Sequence, residues 1–328
     1  MHSFYQGKTI LVTGAAGFIA SHLIDQLLES GANVVGVDNF LTGRKENIEH
    51  LKTHEHFHFI EADVIDYPDS YLSTTDYQLP TINCLFHLAS PASPVGYQAH
   101  PVETYMVNAF ATHQLLQYLL INNPQARFLF TSTSEIYGDP LEHPQKETYW
   151  GNVNPNGPRS MYDEAKRLGE TICGVHARDF GMDVRIVRIF NTYGPRMDLR
   201  DGRVLPGFFL NVLEQKPIEI HGDGTQTRSF CYVSDLVEGL LQMMEKGDFA
   251  GETVNLGNPS EITMNELALL VNEVADVHQT PTHITPRPED PKQRKPDITK
   301  AQTMLGFKPI VGLKEGLQST LEYFKTQV

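Results

Sequence analysis

Short apolar segments alternate with helical segments over the first 190 residues, and this alternation constrains the fold more than any other feature of the chain. The apolar segments predict strands at residues 8–13, 33–38, 57–62, 82–89, 127–132 and 184–190. Apolar residues at helical spacing extend from Phe18 to Ser30 and from Pro101 to Asn122, and a third helix runs toward Phe180. Strands joined by helices predict right-handed crossovers and an α/β fold with a doubly wound parallel sheet.

The alternation becomes less regular in the second half of the chain, where turn-rich segments such as Gly194-Pro195-Arg196 predict a smaller second domain. We place the first domain at residues 1–190 and the second at residues 191–328. The segments expected to return to the first domain lie near residues 230–262, and they are a helix near Ser234 and a strand from Thr253 to Leu256.

Two later segments carry local signals. Residues Thr263 to Glu266 have the pattern of a capping box, which predicts the start of a helix. Residues Pro281 to Pro296 are rich in proline and charge, as a linker would be, but helical segments follow. We therefore interpret this second segment as a loop that faces the functional site.

The net charge of the chain is −14, from 26 basic and 40 acidic residues. Such a charge argues against a nucleic-acid partner, and an anionic ligand would need a local basic cluster. Arg203, Arg228 and Arg294 are the candidates for that cluster, although arginines also form ordinary surface salt bridges.

The cysteine and histidine residues predict no metal site. Cys84, Cys173 and Cys231 are far apart in the sequence, which indicates buried thiols in a reducing compartment. The three histidines from His54 to His58 alternate, as side chains on the solvated face of a strand do. No uninterrupted apolar stretch is long enough to cross a membrane, so we expect a cytoplasmic protein.

A glycine-containing turn joins the first strand to the first helix. Gly14 permits a tight turn, and Gly17 allows a pyrophosphate to approach the helix N-terminus, although close helix–strand packing alone would also use glycine. The second strand ends at Asp38, whose carboxylate can accept hydrogen bonds from both ribose hydroxyls and repel a ribose phosphate. We therefore predict that the chain binds NAD rather than NADP.

Tyr162 and Lys166 lie four residues apart on a predicted helix and therefore share a face. The ordinary pKa of tyrosine is about 10, and an adjacent positive charge favours the phenolate. This pair indicates removal of a proton from an alcohol, although the spacing alone also fits an exposed helical pair.

Several longer motifs accompany these residues. With them, the chain resembles the extended short-chain dehydrogenase/reductase family over nearly its whole length. The motifs are Asp38-Asn39-Phe40-Leu41-Thr42-Gly43-Arg44, His87-Leu88-Ala89-Ser90-Pro91-Ala92-Ser93-Pro94, Thr131-Ser132-Thr133-Ser134-Glu135-Ile136-Tyr137-Gly138-Asp139-Pro140, Tyr162-Asp163-Glu164-Ala165-Lys166, Arg188-Ile189-Phe190-Asn191-Thr192-Tyr193-Gly194-Pro195-Arg196, Gln226-Thr227-Arg228-Ser229-Phe230 and Arg294-Lys295-Pro296-Asp297-Ile298.

The resemblance implies a Rossmann domain that holds NAD tightly, a smaller C-terminal domain that binds a nucleotide sugar, and a homodimer formed through the Pro101 and Tyr162 helices. The segment from Asp66 to Leu79 is longer than in typical relatives, so a substrate contact there is not assigned. The residues expected to bind NAD are Gly14, Gly17, Phe18, Ile19, Asp38, Asn39, Phe40, Thr42, Gly43, Asp63, Val64, Leu88, Ser90, Tyr162, Lys166 and Thr192.

The resemblance also implies roles in oxidation of a sugar hydroxyl at carbon 4. Tyr162 takes the hydroxyl proton, and Lys166 lowers the pKa of Tyr162 and holds the nicotinamide ribose. Thr133 donates a hydrogen bond to the same sugar oxygen, although Thr133 and Ser134 could instead cap a turn.

Ser134 and Glu135 separate the chemistries within the family. The 4,6-dehydratases carry Asp-Glu at these positions, because elimination at carbon 6 needs an acid, and serine cannot be that acid. A 4-ketone makes a carboxylate at carbon 6 ready to leave as carbon dioxide, so the resemblance implies decarboxylation of UDP-glucuronate to UDP-xylose. The alternatives are a 4,6-dehydratase or 4-epimerase, or a silent NAD-binding regulator, which would be expected to lose Tyr162 or Lys166.

The family pattern places the remaining residues around the UDP-sugar. Asn191, Arg203 and Arg228 are expected to bind UDP, and Arg294 to face the sugar carboxylate or help protonate carbon 5. A second carboxylate beside that of the sugar would repel it unless one is protonated or bridged. Glu135 is therefore expected to position or destabilise the substrate carboxylate, or to carry a proton or water.

Overall fold

The strands and helices follow one another regularly in this computed structural model, which describes residues 2–73, 80–286 and 293–328. The strands are β1 (Thr9–Thr13), β2 (Asn33–Asp38), β3 (Phe57–Glu61), β4 (Cys84–His87), β5 (Arg127–Thr133), β6 (Val184–Ile189), β7 (Thr192–Tyr193), β8 (Glu219–His221), β9 (Thr227–Ser229), β10 (Cys231–Tyr232), β11 (Thr253–Leu256), β12 (Glu261–Thr263), β13 (Thr282–Ile284) and β14 (Gln293–Arg294). The α-helices are α1 (Phe18–Glu29), α2 (Pro68–Leu72), α3 (Pro94–Ala99), α4 (Pro101–Tyr105), α5 (Thr112–Asn122), α6 (Ser160–Phe180), α7 (Val204–Leu213), α8 (Val233–Glu245), α9 (Met264–Ala275), α10 (Thr299–Leu305) and α11 (Leu313–Lys325).

Among the described residues, seven strands form a parallel sheet in the order β11-β6-β5-β4-β1-β2-β3. The chain runs outward from β1 to β3, crosses back to β4 on the other side of β1, and then runs outward again. The strand order therefore reverses between β1 and β4, and in open α/β sheets this is where ligands bind at the carboxyl ends of the strands. The predicted doubly wound parallel fold is confirmed, and each predicted strand of this sheet is correct to within two residues at either end.

Alternate residues of each strand point to opposite faces of the sheet, and both faces are buried. In β1, Ile10 and Val12 enter one hydrophobic core, and Leu11 enters the other. Helices α1, α8 and α10 cover the first face, and α5 and α6 cover the second. Each such buried aliphatic side chain contributes about 1.5–3 kcal/mol to stability, so both layers of helices are needed.

The helix predicted from Pro101 to Asn122 contains a π-helical segment, Met106–Ala111, between α4 and α5. The neighbouring helix α6 approaches this segment closely at Gly169. A Cβ atom at Gly169 would lie 2.7 Å from the carbonyl oxygen of Asn108 and 2.4 Å from the Phe130 ring. Apolar periodicity did not predict the π-helical segment.

A third core lies in the second half of the chain, where α7, α9 and α11 contribute Phe209, Leu267 and Phe324. Small sheets in the orders β12-β9-β14 and β13-β8 accompany these helices. The predicted capping box is present, with Thr263 and Glu266 bonding each other's backbone N–H groups.

Segments of the second half also pack into the first core. These include α8 and β11, which lie near residues 230–262, and residues 298–307. Helix α10 lies within that last stretch and packs against α8 and β11. The division of the chain into two domains at residue 190 stays a prediction. Within the described ranges, no helix has the length and apolarity that a membrane crossing requires.

The loop predicted from Pro281 to Pro296 needs correction. It contains β13 and β14, because its backbone pairs with β8 and β9 rather than remaining irregular. Residues 287–292 of this segment lie outside the described residues. Residues 74–79 of the segment predicted to be longer than in relatives also lie outside them.

Candidate active site

Two adjoining cavities lie at the carboxyl ends of the sheet strands. The larger has a volume of about 520 Å³ and reaches into the second half of the chain, and the smaller has a volume of about 80 Å³. Within the described part of the chain, every residue predicted to bind NAD except Phe40 lines one or both cavities. Every residue predicted to act in catalysis or to bind substrate lines the larger cavity.

The cavities meet at the turn between β1 and α1, which only glycine fits. Gly14 has a φ of +72°, and a Cβ there would lie 2.8 Å from the Ala89 backbone. Gly17 precedes the first residue of α1, and a Cβ there would lie 2.9 Å from the carbonyl oxygen of Gly14. The turn therefore exposes the N-terminus of α1 where the two cavities meet, and a pyrophosphate can approach the backbone N–H groups there.

Asp38 at the end of β2 is buried and already holds its own loop in place. Its carboxylate accepts hydrogen bonds from the N–H groups of Ala16, at 2.9 Å, and Phe40, at 2.7 Å. Burial raises the pKa of Asp38, and these hydrogen bonds partly offset the rise. Gly43 also touches the carboxylate, since a Cβ there would lie 2.8 Å from Asp38 Oδ1. This tight, acidic end of the smaller cavity fits a ribose and disfavours a ribose phosphate.

The structure places the Phe40 side chain away from both described cavities. Phe40 has a φ of +58°, and its ring packs on the ring of Phe59, with centroids 5.3 Å apart. Its N–H group bonds Asp38, so Phe40 supports the cofactor end through its backbone.

Tyr162 and Lys166 are buried side by side on α6. The Lys166 Nζ donates a hydrogen bond to the Thr131 carbonyl oxygen at 2.6 Å and lies 6.0 Å from the centre of the Tyr162 ring. Burial lowers the pKa of Lys166 to about 7. Burial also raises the pKa of Tyr162, and a hydrogen bond with the Thr133 side chain opposes this rise. Burial is the largest cause of the raised pKa of Tyr162 in this cofactor-free site, and the lowering of that pKa by Lys166 stays a prediction.

Tyr97 on α3 stacks on Tyr162 inside the larger cavity. The two rings are nearly parallel, at 12°, with centroids 5.2 Å apart. This contact restricts the orientation of the Tyr162 ring. Tyr97 lies three residues after the motif that ends at Pro94, and sequence reasoning did not single it out.

Glu135, which follows β5, is held between two arginines. Arg294 makes a two-point contact with its carboxylate, including a 3.0 Å bond from Nη2 to Oε2, and Arg159 donates to the same Oε2. Burial would raise the pKa of Glu135, but the two guanidinium charges lower it well below its ordinary value. Glu135 is thus an ionised carboxylate bridged by cations, which is the condition under which a second carboxylate can lie nearby.

Arg159 also approaches Asp163, which lies one turn further along α6. The Arg159 Nε is 3.9 Å from Asp163 Oδ2. Burial and the Glu135 charge raise the pKa of Asp163 to about 7. Arg159 was not predicted from the sequence. Its position, three residues before Tyr162 and four before Asp163, is a signal that could have found it, because residues with this spacing share a helix face.

The three arginines of the predicted basic cluster line the same cavity as Asn191. Arg228 and Arg294 are paired in the neighbouring strands β9 and β14 and are both buried. Arg203 precedes the first residue of α7 and donates to the Ala92 carbonyl oxygen at 2.8 Å. The structure therefore brings the three predicted arginines together in the larger cavity, whereas Asp38 lines the smaller one.

Thr133 and Ser134 lie where β5 ends. The Thr133 hydroxyl accepts a hydrogen bond from the Glu135 N–H group at 3.2 Å, so the capping role considered above is present. Thr133 also hydrogen-bonds the Tyr162 side chain, so its side chain contacts both Tyr162 and the backbone of Glu135.

Comparisons with known proteins agree with this geometry. The model of the NAD dependent epimerase/dehydratase family matches residues 10–257. UDP-glucuronic acid decarboxylase 1 of Arabidopsis thaliana is 50% identical over 97% of this chain and 70% of its own length. UDP-glucuronic acid decarboxylase 6 of the same plant is 47% identical over 99% of this chain and 91% of its own. The crystal structure of UDP-glucuronic acid 4-epimerase from Bacillus cereus with UDP-glucuronic acid and NAD is 32% identical, covers 98% of this chain and all of that one, and has a TM-score of 0.84.

Proposed function

The chain belongs to the NAD-dependent epimerase/dehydratase family, and we propose that it converts UDP-glucuronate to UDP-xylose and carbon dioxide. The observation that carries this proposal is the likeness, at 44–50% identity over nearly the whole chain, to proteins named UDP-glucuronic acid decarboxylase. The site adds a chemical reason, since Ser134 and an arginine-bridged Glu135 follow β5, and serine cannot supply the acid that a dehydratase carries at that position.

NAD, when bound, accepts a hydride from carbon 4 of the sugar and later returns it. We propose that the glycine turn at Gly14 and Gly17 holds its pyrophosphate and that Asp38 holds its adenine ribose. Lys166 lines the larger cavity, where it would hold the nicotinamide ribose. These assignments rest on the cavity lining and on the absence of room for side chains at the turn.

Tyr162 takes the proton from the 4-hydroxyl of the sugar. Its raised pKa keeps the phenol protonated in the protein alone, so added positive charge in the loaded site is needed to favour the phenolate. Thr133 and the stacked Tyr97 hold the phenol at the sugar oxygen. The same Tyr162 hydroxyl returns the proton when carbon 4 is reduced again.

Carbon dioxide leaves once carbon 4 is a ketone. The bond between carbons 5 and 6 breaks, its electron pair forms an enolate on the oxygen of carbon 4, and a proton then adds to carbon 5. We propose that Arg294 and Ser134 orient the leaving carboxylate and that Glu135, kept ionised by Arg294 and Arg159, makes its departure favourable by repulsion. Replacement of Glu135 by glutamine should sharply reduce carbon dioxide release, and full activity of that variant would remove Glu135 from the mechanism.

The UDP portion lies against Asn191, Arg203 and Arg228 in this proposal. Guanidinium groups bind phosphate through paired N–H groups, and these arginines line the larger cavity, whereas Asp38 lines the smaller one. A net charge of −14 makes a concentrated cation cluster necessary for a dianionic pyrophosphate.

We also propose that the protein is a homodimer. Val102, Tyr105 and Phe110 are exposed along the helix that contains α4 and the π-helical segment, and Leu168 and Phe180 are exposed on α6, which packs against it. Exposed apolar groups on adjacent helices are typical of an interface. Sedimentation of a Tyr105→Glu, Leu168→Glu variant should show monomers, whereas Ile310→Glu, at a highly exposed site in the second half, should leave the dimer intact.

A cytoplasmic location is a further proposal. The three cysteines are free thiols and are all buried, as is usual for proteins of a reducing compartment. Subcellular fractionation of cells that express the tagged chain would test this location.

The proposed activity is tested by incubating the purified protein with UDP-glucuronate, with and without added NAD, and analysing the products by mass. We expect a product lighter by one carbon dioxide, with no net change in cofactor oxidation. A product of unchanged mass but different chromatographic retention would indicate a 4-epimerase. UDP-glucose, which has no carboxylate, should yield no carbon dioxide and serves as the control substrate.

A further inference from the structure

A buried polar network adjoins residues 131–135, here called the catalytic run. The members of the network do not line either described cavity. Gln145 and Asn255 are at its centre, and the side chains of both are fully buried. Fully buried amides are costly unless their hydrogen bonds are satisfied, so their partners show what the network holds together.

Gln145 binds the chain segment that directly follows Arg294. Its N–H group donates to the Lys295 carbonyl oxygen, its Oε1 accepts from the Lys295 N–H group, and its carbonyl oxygen accepts from the Asp297 N–H group, each at 2.9 Å. A single residue of the loop after β5 therefore fixes three backbone groups of residues 295–297.

Asn255 at the centre of β11 joins this segment to the catalytic run. Its Nδ2 donates to the carbonyl oxygens of Gln145, at 3.0 Å, and Asp297, at 3.2 Å. Its Oδ1 accepts from the Tyr137 hydroxyl at 2.8 Å, and Tyr137 lies two residues after Glu135. Arg188 in β6 donates to the same hydroxyl at 2.9 Å and forms an ion pair with Glu170 of α6.

Arg294 is followed directly by the segment that this network holds. Within the described residues, β14 has two residues and pairs with β9. The bonds made by Gln145 and Asn255 hold the chain that leaves it. Tyr162 and Lys166 are positioned instead by α6 and the end of β5.

We propose that Gln145 and Asn255 are positioning residues that hold Arg294 against Glu135, so that their loss slows carbon dioxide release but not oxidation at carbon 4. This inference rests on the proposed decarboxylation. A misplacement of about 1 Å can cost roughly a hundredfold in rate, so small shifts of Arg294 are sufficient.

The test uses Asn255→Asp, which keeps the shape and the oxygen that accepts from Tyr137 but replaces the donor to Gln145 and Asp297. We expect carbon dioxide release to fall about 10- to 100-fold, while the first rise in reduced cofactor absorbance after mixing with UDP-glucuronate changes less than about threefold. The matched control is Asn272→Asp, a buried asparagine of α9 that donates to Gln279. That control should leave the ratio of the two rates unchanged.

Tyr137→Phe gives a second, milder test if Asn255→Asp does not fold. It removes the hydroxyl between Arg188 and Asn255 while keeping the ring stacked on Tyr149. We expect about a fivefold selective loss of carbon dioxide release, equivalent to one hydrogen bond. A parallel fall of both rates, or no change in either in a folded variant, would overturn the proposal.

Hydrogen exchange tests the network independently of the reaction. In the unaltered protein, the amides of Lys295 and Asp297 should exchange slowly, and Asn255→Asp should accelerate their exchange at least tenfold without affecting α9. Unchanged protection would overturn the positioning role even if the protein decarboxylates UDP-glucuronate. If protection is lost as expected but the unaltered protein releases no carbon dioxide, the proposed function fails and the positioning of Arg294 stands.

Discussion

Arg294 and Glu135 form a two-point ion pair although 159 residues separate them in the sequence. Arg294 comes from the second half of the chain, and Glu135 follows a central strand of the first. The pair faces the same cavity as Tyr162. The groups proposed to oxidise the sugar therefore lie in the first half, while those proposed to act in decarboxylation come from both halves.

Arg294→Ala should abolish turnover while UDP still binds, because Arg203 and Arg228 remain. It should also destabilise the protein by about 3–5 kcal/mol, since it leaves the buried Glu135 carboxylate with one cation fewer. Adding Glu135→Gln to the same chain should recover much of that stability without restoring turnover. Urea unfolding and UDP binding check these outcomes, and equal stabilities of the single and double variants would contradict the assignment of the buried pair.

Tyr162→Phe should lower kcat by roughly 10²–10⁴-fold, the range expected when a general acid–base group is lost. The cofactor should still bind, because the ring and its stacking on Tyr97 remain. The matched control is Tyr71→Phe in α2. Tyr71 is also buried, and its hydroxyl has no hydrogen-bond partner among the described residues. Similar losses in both variants, measured by steady-state kinetics, would argue against a specific role for Tyr162.

Lys166 should make the cofactor-free protein less stable at neutral pH than at alkaline pH. Its pKa is about 7 in the folded protein because of burial and near 10.4 in the unfolded chain. Between these values only the unfolded chain holds the proton, so the free energy of unfolding rises with pH by up to about 1.4 kcal/mol per unit.

Lys166→Met should therefore be more stable than the unaltered protein by roughly 3–5 kcal/mol at pH 7, and the difference should shrink as the pH approaches 10. Lys52→Met, which removes an exposed lysine, provides the control. Denaturant unfolding from pH 7 to pH 9 measures the effect, and parallel stability curves for the unaltered and Lys166→Met proteins would contradict it.

Asp38→Asn should reduce the preference for NAD over NADP. The change keeps the shape of the side chain but removes the charge that repels a ribose phosphate and weakens the bonds to Ala16 and Phe40. We expect NAD affinity to fall about tenfold or more, as for loss of a charged hydrogen bond, with a smaller or opposite effect on NADP. Glu61→Gln removes an equal charge from the residue paired with Asp38 in β3, and calorimetry should show no such change.

The sequence predicted those parts of the site that depend on the spacing of residues along one helix or on the position of a residue at a strand end. The spacing of Tyr162 and Lys166 fixes their common helix face, and the position of Asp38 at a strand end fixes its place beside the glycine turn. It could not predict the environment that sets their pKa values. Lys166 bonds the Thr131 carbonyl, which lies 35 residues away, and burial at this site lowers the pKa of Lys166.

Contacts between distant segments account for the remaining differences. The Arg159 contact with Glu135 depends on the approach of α6 to the end of β5, and no periodicity records that approach. The same holds for the pairing of Gln145 with residues 295–297, which turns part of a predicted loop into a fixed support for Arg294. Phe40 belongs to a family motif and was predicted to bind NAD, but its left-handed backbone directs the ring toward Phe59.

In the proposed reaction, one cofactor molecule takes a hydride from carbon 4 and returns it after decarboxylation. This return of the hydride is tested most directly with UDP-glucuronate that carries deuterium at carbon 4, supplied to the protein with its bound cofactor and without added NAD. We expect UDP-xylose that retains the deuterium at carbon 4. Recovery of the intact carboxylate, or of a decarboxylated product with hydrogen at carbon 4, would contradict it.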